Sequence, residues 1–190
     1  MISNWFVKSS GFGIFPFALL ALTLAGCQTD ENVAGLNEPR IVPAVKASAG
    51  DNKSDVDALV KSYLDLRKTL ADDKSEGIAE SVAAIGEKAK PLFNSDNADI
   101  QRIAKAIVKS AESKTADLVG ARETYQSISA SVIELVKIVP PSKQTLSNLY
   151  VAYCPMVKAS WLQTTKEIAN PYMGQKMLSC GEIQEEISTK

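Results

Sequence analysis

The sequence predicts an all-α domain: an antiparallel four-helix bundle with a small C-terminal hairpin or irregular Cys-Met element. Three observations lead there. Between residues 54 and 139 the apolar residues fall into four separate runs at three- and four-residue steps, the period of a helix with one buried face. The breaks between the runs are short and polar, which turns each helix back on the one before it. Residues 149–182 hold two of the three cysteines and three of the four methionines, so any specific chemistry is expected in that element.

Composition narrows the function. The chain has 190 residues, 45% of them apolar, enough for one well-packed core but hardly for two. Its formal charge is −1 with no block of like charge, so it lacks the clustered basic face that nucleic-acid binding needs. Histidine is absent, which removes the usual general base, the Ser-His and Cys-His nucleophile pairs and the commonest zinc ligand. The expectation is a non-catalytic protein.

Residues 1–26 read as an export signal, with Lys8 near the start and an apolar run from Gly11 to Ala25 that is short for a bilayer-spanning helix. The run ends in Leu24-Ala25-Gly26-Cys27, which resembles the bacterial lipobox and makes Cys27 the lipidation site. Several acyl chains at ~0.8 kcal/mol per buried CH₂ make such an anchor effectively permanent. Gln28 follows in place of the aspartate associated with inner-membrane retention, and by that resemblance the expected location is the periplasmic face of the outer membrane. Residues 27–53 carry Pro39, Pro43 and scattered charge without periodicity, and read as a flexible tether of roughly 25–30 Å reach.

The domain proper is expected over 54–190. Ser54 with Asp57 has the form of a capping box, and Val56, Leu59, Val60, Tyr63, Leu64 and Leu70 share one helical face. Asp72–Ser75 breaks this helix. The second carries Ile78, Val82, Ile85, Ala89 and Leu92, and ends around Pro91 and Asn94–Asn97. The third carries Ile100, Ile103, Ala104, Ile107 and Ala111. Thr115 is the expected cap of the fourth, whose stripe is Leu118, Ala121, Tyr125, Ile128, Val132 and Leu135, stopped by Pro140-Pro141. The acids Asp55, Asp57, Asp65, Glu80, Glu112 and Glu123 lie off these stripes and read as a solvated face, while Glu134 and Arg122 are placed to pair across helices. The bundle reads as scaffold.

In the C-terminal stretch, Leu146–Tyr153 is aromatic and β-branched and reads as extended, which would put Cys154 and Met156 on one face. Pro155 places this piece at a strand end. Ser160-Trp161-Leu162 reads as a short turn or helix, and Asn170–Gly174 as a tight turn with Gly174 at positive φ. Cys180-Gly181 suits a close approach of two backbones. Trp161, Tyr153 and Tyr172 are expected to cap the open end of the bundle and cover the cysteines.

The pattern YCPM, WL, EIANPYMG and KMLSCGE resembles an uncharacterised bacterial envelope domain family. Its members occur as free-standing exported or lipid-anchored proteins and at the C-terminus of periplasmic adaptor subunits of copper/silver-type heavy-metal efflux systems. The resemblance runs roughly from Asp55 to Ile187 and includes Asp117-Leu118, Arg122 and Ser127–Ser129. It departs at Tyr125, where the family usually has phenylalanine, and in a shorter segment between Met156 and Trp161. It implies an accessory role beside an efflux system or another envelope protein.

Two chemistries remain open for these residues. Cys154 and Cys180 with Met156 or Met177 form a soft donor set that suits Cu(I) and needs no imidazole. The same two cysteines in an oxidising compartment form a disulfide, closing a loop of about 26 residues for ~3–4 kcal/mol. Tetrahedral zinc wants four strong ligands and finds two. A thioredoxin-like role is disfavoured by the lack of a C-x-x-C.

Overall fold

The computed structural model describes residues 52–113 and 117–188. The expected signal, Cys27 as the expected lipidation site and nearly all of the expected tether lie outside the described residues, as does Thr115.

The domain is mixed α/β, which corrects the all-α expectation. Four helices, α1 (Asn52–Ala71), α2 (Ile78–Ala89), α3 (Ala98–Ala111) and α4 (Leu118–Ile138), precede three strands, β1 (Leu149–Cys154), β2 (Ala159–Gln163) and β3 (Glu182–Ile187). The strands form one antiparallel sheet in the order β2-β1-β3. Successive helices pack on one another, α4 also meets α1, and β2 lies against α4 and α1.

The apolar stripes explain the helical layer. Val56, Leu59, Val60, Tyr63, Leu66 and Leu70 of α1 are fully buried, as are Ile103, Ala104 and Ile107 of α3 and Ala121, Tyr125, Ile128, Val132 and Leu135 of α4. Each such leucine or isoleucine contributes about 1.5–3 kcal/mol by leaving water. The ends differ from expectation at two places. Ser54 does not cap α1, which already begins at Asn52. Asp117 caps α4, accepting a hydrogen bond from Gly120 N at 2.8 Å. Asn97 caps α3 through Asp99 N and Ile100 N, and Pro91 sits in a 3-10 turn (Lys90–Asn94) that finishes α2.

The expectation failed in the sheet, for physical reasons. Ser160-Trp161-Leu162, expected as a short turn or helix, is the middle of β2; four of its five residues are buried, since β2 is enclosed by the helices as well as by β1. Glu182–Ile187 is mostly exposed and carries three glutamates, so it has too little apolar content to read as a strand. It forms because β1 offers it an open edge.

Polar contacts join the two layers. Tyr63 and Ser129 share a hydrogen bond of 2.8 Å, and the Tyr63 hydroxyl accepts the backbone N–H of Leu162 at 3.1 Å, tying α1, α4 and β2. Arg122 donates through Nε to Pro171 O and through Nη2 to Leu70 O, both at 3.0 Å, and pairs with Asp73. Glu134 pairs with Arg102 of α3 at 2.5 Å. No helix among the described residues is long and apolar enough to cross a membrane.

Candidate functional site: a cysteine pair at the end of the sheet

Strand register brings the cysteines together. β1 pairs with β2 from Tyr150↔Gln163 to Cys154↔Ala159, and the intervening Pro155–Lys158 forms the hairpin turn. Lys158 takes φ +52°, an uncommon value for a residue with a Cβ. On its other side β1 pairs with β3, ending at Tyr153↔Glu182. One more step along that ladder sets Cys154 opposite Gly181, next to Cys180. Gly181 permits this approach: its φ is +145°, and a Cβ there would lie 2.8 Å from both Tyr153 O and Trp161 Cη2.

The result is a sulfur–sulfur contact. Cys154 Sγ and Cys180 Sγ lie 3.5 Å apart, and both cysteines are free. Cys154 is completely buried and Cys180 is partly exposed. Burial pushes the Cys154 thiol up, but hydrogen bonds from Val157 N–H, Cys180, the Asn170 side chain and Met156 N–H together hold it below its usual value. Cys180 is pushed up, first by its bond to Cys154 and then by burial and the Cys154 charge.

Asn170 is the residue that sequence reasoning undervalued, having placed it only in a turn. It is fully buried, and its Oδ1 accepts from Tyr172 N at 2.8 Å and Met173 N at 3.1 Å, fixing the turn. Its Nδ2 donates to Cys180 O at 2.6 Å, and its N–H to Leu178 O at 2.8 Å. One amide thus holds the turn and the Cys180 backbone. The Asn-Pro pair was the available signal, because asparagine bonds to the backbone two residues on. Gly174 takes φ +55° as expected and packs against Asp73 and Arg122.

The methionines sit differently from the expectation. The strand ends at Cys154, so alternation does not carry to Met156; it lies in the hairpin turn and is 64% exposed. Met177 closes a 3-10 turn (Gly174–Met177), bonds through its carbonyl to Cys180 N at 3.0 Å and is 37% exposed. Two of the four large apolar side chains exposed on the described surface are thus within three positions of a cysteine in the sequence. Met173 is partly buried against the core. Among the described residues no group of three or more His, Cys, Asp or Glu side chains is placed to hold a metal ion.

Behind the pair runs a stack of rings. Trp161 and Tyr172 meet edge-on at 5.8 Å, Tyr172 and Tyr125 lie 5.9 Å apart, and Tyr125 stacks on Tyr63 at 4.8 Å. Trp161 and Tyr172 are buried, and Tyr153 is half-buried. Comparison of the chain with protein-family models, characterised proteins and solved structures yields no match.

Proposed function

We propose that this chain is a lipid-anchored envelope protein, non-catalytic, whose Cys154–Cys180 pair binds Cu(I) when reduced and closes to a disulfide when oxidised. The observation that carries the reading is the 3.5 Å sulfur–sulfur contact between residues 26 positions apart, with an exposed methionine within three positions of each cysteine in the sequence. The donor set fits Cu(I): thiolates and thioethers are soft, and two thiolates suffice for low coordination. It does not fit structural zinc, which wants four ligands. Cys154 and Cys180 would hold the ion, and Met156 and Met177 are the thioethers near enough in sequence to join them. Bound there, Cu(I) would be sequestered or passed on without redox chemistry by the protein. The LAGC motif ending in Cys27 supports the anchor, and the resemblance of the CPM-to-CG stretch to efflux-associated domains supports an efflux-system or other envelope protein as partner.

A second reading has its own support. Cys154 is wholly buried, as a purely structural disulfide would be, and that bond would staple β3 and the turn before it to the hairpin. Anaerobic competition of the reduced chain against a Cu(I) chelator separates the two. The metal reading expects one equivalent taken up, loss of uptake in Cys154→Ser, and weaker uptake in Met156→Leu and Met177→Leu. Unchanged affinity in the methionine variants, with a lowered melting temperature in Cys154→Ser, would favour the staple.

A further inference from the structure

The two sulfurs differ in access, and the difference gives the pair a direction. Cys154 is 0% exposed, at the end of the central strand. Cys180 is partly exposed, between the exposed residues Ser179 and Gly181's neighbour Glu182. Thiol–disulfide exchange needs in-line access to the sulfur that is attacked, and the other sulfur then departs. Cys180 is the accessible sulfur, so attack falls there and Cys154 departs.

We infer that the Cys154–Cys180 disulfide is a reducible gate, opened by an external thiol that attacks Cys180 while Cys154 leaves. The inference rests on the dithiol–disulfide part of the function proposed above and names how the site is switched on. The co-reactant is a thiol, either a small molecule or the thiolate of a reducing protein. Its sulfur bonds to Cys180 Sγ, the Sγ–Sγ bond breaks, and the electron pair departs on Cys154 Sγ. A second thiol attacks the mixed disulfide at the external sulfur and releases Cys180. Two thiols become one disulfide, and the protein gains a dithiol. Asn170 is a positioning residue in this scheme: its Oδ1 keeps the turn in place while its Nδ2 holds the Cys180 carbonyl.

The test uses the full-length chain, with glutathione as the thiol, acid quenching, and peptide mass spectrometry to distinguish Cys154 and Cys180 from Cys27. Wild type should show a transient glutathione adduct on Cys180 and none on Cys154. Oxidised glutathione should modify Cys180 in Cys154→Ser, whereas in folded Cys180→Ser it should leave Cys154 untouched until denaturant is added. Asn170→Asp, which keeps the turn-capping oxygen and removes the donor, should slow reduction at least fivefold in the folded chain and not at all in denaturant. An adduct on Cys154, equal reactivity of the two sulfurs, or a chain that cannot be oxidised to this disulfide would overturn the inference. The exchange needs no metal, so failed Cu(I) uptake leaves this result standing, and attack at the wrong sulfur leaves the Cu(I) titration standing.

Discussion

Tyr125 is fully buried between Tyr63 and Tyr172, and its hydroxyl finds no hydrogen-bond partner among the described residues. A buried, unpaired hydroxyl costs about 1–3 kcal/mol of desolvation. Phenylalanine would fill the same space without that cost. Tyr125→Phe is therefore expected to leave the fold intact and to raise stability by up to about 1 kcal/mol, read as a shift in the urea midpoint. Gly181 predicts the reverse. A methyl group there meets Tyr153 O and Trp161, and φ +145° is strained for any side chain. Gly181→Ala should lower the melting temperature and slow disulfide closure, measured by the rate of thiol loss under a fixed oxidant. The glycine's role was legible from the sequence, since Cys-Gly after a return segment signals close backbones. The Tyr125 conflict was not, because a tyrosine on an apolar stripe looks the same whether or not its hydroxyl is paired.

At the scale of elements, the helices were readable because each buries one stripe, and a 3.6-residue period survives in the sequence. Their ends were less so: Ser54 has the letters of a cap, yet α1 starts two residues earlier. The strands were obscured by their surroundings. β2 is buried on both faces and so lost its alternation, and β3 is an exposed acidic edge whose pairing depends on β1 rather than on its own apolar content. The acids were read as a solvated face, but Asp57 ties two elements together. Its carboxylate accepts Ser142 N at 2.8 Å, Thr145 Oγ1 at 2.8 Å and the Ser142 hydroxyl, pinning the loop after α4 to α1. Burial pushes the Asp57 carboxyl up, but the bonds from Ser142 and Thr145 and the Lys53 charge outweigh it, so its pKa lies below the ordinary value. A carboxylate depressed on folding adds stability that is complete above its unfolded pKa and is lost as pH falls through the folded one. Thermal melts should show stability declining as pH drops below about 4, with a shallower decline in Asp57→Asn.

For the whole molecule, the sequence picks out the two cysteines and the structure shows how they meet. Two cysteines far apart in the chain could be named as a soft pair from residue type alone, but their contact depends on the β1–β3 register and on Gly181, neither of which has a periodic signature. The expected shared face of Cys154 and Met156 relied on a strand continuing past Pro155, and the hairpin turn ended it. What emerges is a helical scaffold carrying a small sheet, with a buried and an accessible sulfur in contact at the sheet's end. The central claim is that these two sulfurs form one site with two exclusive states. It is tested most directly by titrating the full-length chain with Cu(I) anaerobically against a competing chelator, once after reduction and once after oxidation, with Cys154 and Cys180 thiols counted in each. The account predicts two free thiols and one equivalent of tightly held Cu(I) in the reduced chain, and neither in the oxidised one. Equal Cu(I) uptake in both states, or none after full reduction, would contradict it.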